Sequence, residues 1–106
     1  MLPMVSPRLD INERASDHTT AVAITSTQVM EPEKQRSSAE FTNDSDVVIY
    51  LALGVDAAVN RGIRLNANGG AYEIGSTNLW KGTVNAIHGG AGTKILCAVQ
   101  VRQGNQ

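Results

Sequence analysis

Residues 47–53 form the densest apolar run in the chain, VVIYLAL, and Gly54 ends it abruptly. A run of that length, rich in β-branched and aromatic side chains and cut by glycine, predicts a buried strand. The form then repeats. Arg61 and Gly62 precede Ile63 and Leu65, and the turn Asn68, Gly69, Gly70 leads into Ala71, Tyr72, Glu73 and Ile74. The stretch is laid out for packing, and nothing in it is arranged for catalysis.

All ten glycines lie at or after Gly54, and all three prolines lie before residue 33. Glycine takes positive φ at little cost, so its density marks tight turns. The second half is therefore predicted to be a close-turned β-meander or Greek key, and the first part to be built differently. Residues 1–17 hold Pro3 and Pro7, mixed charges and no sustained period. They are expected to be an extended N-terminal arm, with room for a helical turn or two at 8–15.

The domain proper is expected over 18–106. Residues 19–30 suit one half-buried strand, in which Val22 and Ile24 alternate with Ala21, Ala23 and Thr25. Pro32 breaks it. A second strand over 38–42 points Ala39 and Phe41 inward, and Asn43 to Asp46 form a turn. The 47–53 run, apolar on both faces, belongs mid-sheet, covered on both sides or at a subunit contact. Ile63 and Leu65 face inward around Arg64, as do Tyr72 and Ile74 around Glu73. The last strand carries Ile95, Cys97, Val99 and Val101 on one face and Leu96, Ala98 and Gln100 on the other. Seven or eight short strands at roughly 8–12 residue spacing predict an all-β fold, a small antiparallel β-sandwich or jelly-roll-like barrel.

Charge and cysteine narrow the function classes. A net charge of −1 argues against nucleic acid as a partner, because neutralising phosphates takes an excess of Lys and Arg. Residues 1–45 carry four Lys/Arg and seven Asp/Glu, against five and three in 46–106. That asymmetry either favours head-to-tail contact between copies or is scattered, solvated charge. The single cysteine, Cys97, makes no internal disulfide and is expected to be a small buried thiol. The amino terminus lacks the basic start and apolar run of a signal peptide, and nothing approaches the roughly 20 apolar residues that span a bilayer. Synthesis in the cytoplasm and no membrane partner are expected.

The motifs that suggest chemistry do not hold. GGAG at 89–92 leads into a strand, whereas a phosphate loop leads into a helix. His18 and His88 have no further ligands at metal-binding spacing and are expected to be surface imidazoles near loops. Ser76, His88 and Asp56 lack a nucleophile elbow. No cofactor and no enzymatic activity are expected. Arg61 and Arg64, with Lys81 beside Trp80, are too few for a nucleic-acid surface. Trp80 either fills the core or anchors a protein contact. Trp80, Tyr72, Arg61 and Arg64 form the candidate contact set.

The sequence TSTQV, then TNDSDVVIYLALG, NRGIRLNANGGAYEI and WKGTVNAIHG, resembles a group of small virion structural proteins of tailed bacteriophages. The likeness covers residues 25–101 and departs most at the polar EPEKQRSSAEF. It implies a β-sandwich or jelly-roll core, no active-site residues, and a place in the virion after synthesis in the host cytoplasm. The job implied is head decoration, a cement protein bound to the major capsid protein or other virion proteins as a homo-oligomer, a trimer. The alternative is a neck or tail accessory or a small receptor- or glycan-binding module working through loops 75–81 and 88–93.

Overall fold

The computed structural model describes residues 12–103. Its spine is the last strand, whose backbone is bonded on both sides. Nine strands run in chain order: β1 (Asn12–Asp17), β2 (Thr20–Val22), β3 (Thr27–Met30), β4 (Arg36–Asn43), β5 (Ile49–Leu53), β6 (Ile63–Leu65), β7 (Ala71–Ile74), β8 (Val84–His88) and β9 (Lys94–Gln103). β9 takes β4 along one edge and β1 and then β2 along the other, and β7 pairs with β4. The second sheet is β3-β8-β5-β6, and every pairing is antiparallel. The expected all-β sandwich is the observed fold, with no helix among the described residues.

The core lies between the two sheets. Val22, Ala39, Phe41, Ile74, Leu96 and Ala98 enter it from the larger sheet. Val29, Met30, Ile49, Leu51, Leu65, Val84 and Ala86 enter from the smaller. Alternation supplies most of these residues, as period-2 side-chain direction requires, and in β3 a register shift between Gln28 and Met30 lets the consecutive Val29 and Met30 both enter. β5 is the exception that the 47–53 run foreshadows. Ile49 and Leu51 face the core, while Tyr50 and Ala52 pack outward with Ile87 and Ala57 in a second cluster. Its cover comes from its own chain. The loop after β5 crosses the outer face of the smaller sheet, fixed by the Ala57 amide on Ser26 Oγ (2.8 Å) and by Asn85 Nδ2 on the Val55 carbonyl (2.8 Å).

Two buried polar side chains on β4 hold the sandwich ends. Arg36 is 0 % exposed. Its Nε donates to Gln100 Oε1 (2.7 Å), Nη1 to the Trp80 and Gly82 carbonyls (both 2.9 Å), and Nη2 to the Glu31 carbonyl (2.8 Å). Burial lowers the guanidinium below its ordinary pKa, with nearby Glu33 acting the other way. At the far end, Asn43 Nδ2 donates to the carbonyls of Val47, Leu65 and Asn66 at 2.7, 3.0 and 3.1 Å. Its Oδ1 accepts from Ser45 Oγ (2.6 Å). It thereby ties together the β4–β5 and β6–β7 crossovers between the sheets.

Several expectations are corrected. Residues 12–17, assigned to the arm, are strand β1; its register on β9 places Ala15 opposite Val101 and Asp17 opposite Val99. The rest of the arm assignment, 1–11, lies outside the described residues. The single strand expected over 19–30 is two, β2 and β3, in different sheets. The chain crosses at 23–26, where Thr27 Oγ1 accepts the Ala23 amide and donates to the Thr25 carbonyl. Val22 is therefore buried while Ile24 is 55 % exposed.

His88 is not at the surface. It is fully buried, with Nδ1 accepting the Gly90 amide (3.0 Å) and Nε2 facing the Gly92 carbonyl (2.8 Å), the bonding of an Nε2–H tautomer. Cys97, expected to be buried, is half-buried on the outer face. The cause is register. Gln100 must face inward to meet Arg36, so its period-2 partners Leu96 and Ala98 also face inward, and Ile95, Cys97, Val99 and Val101 face out.

Replacing Arg36 tests this. Arg36→Met leaves the Gln100 amide oxygen and three carbonyls without that donor, at about 1–3 kcal/mol for each group left buried and unpaired. A loss of at least about 3 kcal/mol in denaturant unfolding is expected. Arg36→Lys should recover little, since one ammonium does not reproduce the planar fork.

Candidate functional site

Two surfaces of the sandwich combine exposed apolar residues with charged side chains that, among the described residues, are in no ion pair. The first is the outer face of the larger sheet. Down its middle run the outward residues of β9, with Ile95 42 % and Val99 37 % exposed. Across it runs a row set by register, with Asp17 opposite Val99, Val99 opposite Glu40, and Glu40 opposite Glu73. At about 4.8 Å between strands, the row spans about 14 Å. Its three carboxylates stand on one face, and Glu40 and Glu73 are direct cross-strand neighbours, an arrangement that costs stability. Asp17 Oδ1 accepts from the Thr19 hydroxyl (2.6 Å) and amide (3.1 Å), which hold its carboxyl below the ordinary 3.8. A depression of about 190 Å³ lies on this face, lined by Asp17, Thr19, Glu40, Thr42, Cys97 and Val99.

The second surface is the corner where β5 meets the short edge strand β6. Gly62, at φ 82°, brings the chain so close to β5 that a Cβ there would run into the Leu51 carbonyl. Here Arg61 and Arg64 line a pocket of about 190 Å³ together with Tyr50, Asn60 and Gly62. Tyr50 Oη donates to Asn60 Oδ1 (2.9 Å), and Arg64 Nε donates to Asn66 Oδ1 (3.0 Å), which leaves the end of the Arg64 guanidinium outward. Beyond Arg61 an apolar pocket of about 580 Å³ opens between β5 and its loop, with Leu51, Leu53, Val55, Ala58 and Ile63 in its walls. Val55 in its wall and Val59 on the same loop are exposed.

Among the described residues, ion pairs join Lys94 to Asp46 and Arg102 to Glu33; the three carboxylates of the row and the two arginines of the corner are in neither.

Of the four candidate contact residues, the structure brings Arg61 and Arg64 together and places the other two elsewhere. Trp80 is half-buried against the core, its ring lying over Gly54 and Gly82 and its Nε1–H on the Thr83 carbonyl (3.0 Å). Tyr72 stacks on Phe41 with ring centres 6.5 Å apart, and its hydroxyl accepts from Asn78 Nδ2 (3.2 Å). Both aromatics are engaged within the fold. Sequence reading missed the carboxylate row because positions 17, 40, 73 and 99 meet only through the pairing of four strands. The sequence shows apolar residues on both faces of β9, and alternation alone does not say which of them meets water.

Chemically these surfaces hold charge and apolar area. No group of three or more His, Cys, Asp or Glu gathers at metal-binding distance among the described residues. No helix among them is long and apolar enough to cross a membrane.

Two outcomes are expected for the row. Glu73→Lys should raise stability by about 0.2–1 kcal/mol in urea unfolding, by turning a like-charged cross-strand pair into an opposite one. Because the folded Asp17 carboxyl is depressed, its stabilisation is present above pH 3.8 and lost as pH falls through its lower folded value. Asp17→Asn should therefore flatten the stability profile below pH 3.8 and leave its slope at neutral pH unchanged.

No family model matches this chain, and neither a curated protein nor a solved structure matches it.

Proposed function

We propose that this chain is a non-enzymatic structural protein of a tailed-bacteriophage virion, decorating and cementing the head as a homo-oligomer, a trimer. It would bind the major capsid protein or another virion protein, after synthesis in the host cytoplasm. The observation that supports this reading best is the outer face of the larger sheet. Aliphatic side chains stand there in water, and Glu40 is kept opposite Glu73 at a cost in stability. A face that forgoes stability in this way is suited to being covered.

Other features agree. The sandwich offers broad, rigid sheet faces, as repeated attachment by shape and area requires. Many weak contacts at equivalent positions then add through effective concentration. The resemblance of residues 25–101 to small phage virion proteins supplies the setting.

The test is co-sedimentation of the purified full chain with heads of the encoding phage assembled without it. Saturable binding at a fixed number of copies per head is expected. Heads that bring down none of the chain would remove the cement role.

A further inference from the structure

The two surfaces described above differ in charge and lie on different sheets of one molecule. We propose that copies of this chain join head to tail, the carboxylate row on the larger sheet of one copy receiving Arg61 and Arg64 of the next. This proposal rests on the self-association in the function proposed above, and does not depend on where in a virion the oligomer sits.

Charge complementarity commits the face to this occupant. Asp17, Glu40 and Glu73 form a row with no cation among the residues that register places beside them, and among the described residues none of the three is in an ion pair. Arg61 and Arg64 are both exposed and, among the described residues, equally without a carboxylate partner. Guanidinium groups bind carboxylates through paired hydrogen bonds in a fixed plane, so two arginines can bridge neighbouring acids in a way that dispersed counter-ions do not. A guanidinium lying between Glu40 and Glu73 would also relieve the repulsion that the isolated fold tolerates.

Shape and apolar surface agree with the charges. The depression between Asp17 and Glu40 is also lined by Cys97 and Val99. It suits one inserted side chain. Val99 stands within the row and Ile95 four residues along the same face of β9, and exposed Val55 and Val59 lie on the loop that carries Arg61. Apolar contact thus accompanies the ion pairs on both sides.

The contact is heterologous. A two-fold contact of the larger sheet with itself would oppose carboxylate to carboxylate, and the same contact at the β5–β6 corner would oppose arginine to arginine. Joining unlike surfaces yields a ring where the rotation closes and an open chain where it does not.

The experiment is light scattering behind size exclusion on the full chain, over a range of concentrations, at low and high salt. The unmodified chain should be oligomeric at low salt and dissociate as salt rises, because exposed pairs are screened. The Glu40→Lys, Glu73→Lys double variant and the Arg61→Glu, Arg64→Glu double variant should each weaken association by at least about tenfold, equivalent to about 1.4 kcal/mol. Mixing the two should restore association, since each then presents a face that complements one on the other. All four positions are exposed, so a native thermal transition is expected for both variants; Arg61→Gln with Arg64→Gln is a milder form of the second.

A chain that stays monomeric at every concentration overturns both this interface and the self-association. An oligomer unaffected by either double variant, or two weakened variants that fail to associate on mixing, overturns the interface and leaves self-association standing. Head binding, measured separately, bears only on the virion role.

Discussion

The buried guanidinium of Arg36 is the constraint on which much of this sandwich depends. A charged group without solvent access must find hydrogen-bond partners, and Arg36 finds four, from residues 31, 80, 82 and 100. Each partner fixes something different. The carbonyls at 31, 80 and 82 hold the loops that connect the sheets at that end. Gln100 fixes which face of β9 is turned inward. From that one choice the rest of the larger sheet follows. Leu96 and Ala98 enter the core, and Ile95 and Val99 remain in water.

Seven residues along the same strand, Asn43 does the corresponding work at the other end, drawing three carbonyls from two crossovers onto one amide. The separation is about 23 Å of extended chain. β4 is thus a brace with a polar clamp at each end and Ala39 and Phe41 in the core between them. Rigid ends keep the sheet faces constant in shape, a requirement of any protein that attaches through surface area. Because the sandwich ends are held from inside, the outer faces are free to carry aliphatic groups and unpaired charge.

Much of the fold was legible in local pattern. The turn at Asn43 to Asp46, the inward pairs Ala39 with Phe41 and Ile63 with Leu65, and the central position of residues 49–53 all follow from alternation and glycine placement. What failed did so for identifiable reasons. Val22 and Ile24 have the spacing of one strand, but a hydroxyl turn at Thr27 moves the chain to the other sheet between them. Asn12 to Asp17 lack any apolar alternation, yet they pair with β9 through backbone bonds, to which side-chain periodicity is blind. His88 is next to three glycines and an alanine that suggest an open loop. Instead its ring closes that loop, by accepting one amide and meeting one carbonyl.

The amino-acid sequence by itself determined the class of structure. Short β-branched runs cut by glycine leave no length for helices, and the scarcity of clustered titratable residues directs expectation toward binding. Tertiary structure alone decided which of two apolar faces of β9 meets water, because alternation is symmetric and long-range contacts such as the bond from Arg36 to Gln100 break the symmetry. It likewise gathered Asp17, Glu40 and Glu73 into one row and set Arg61 beside Arg64 at a pocket. Register across strands far apart in sequence is a property of the whole sandwich, and no local stretch encodes it.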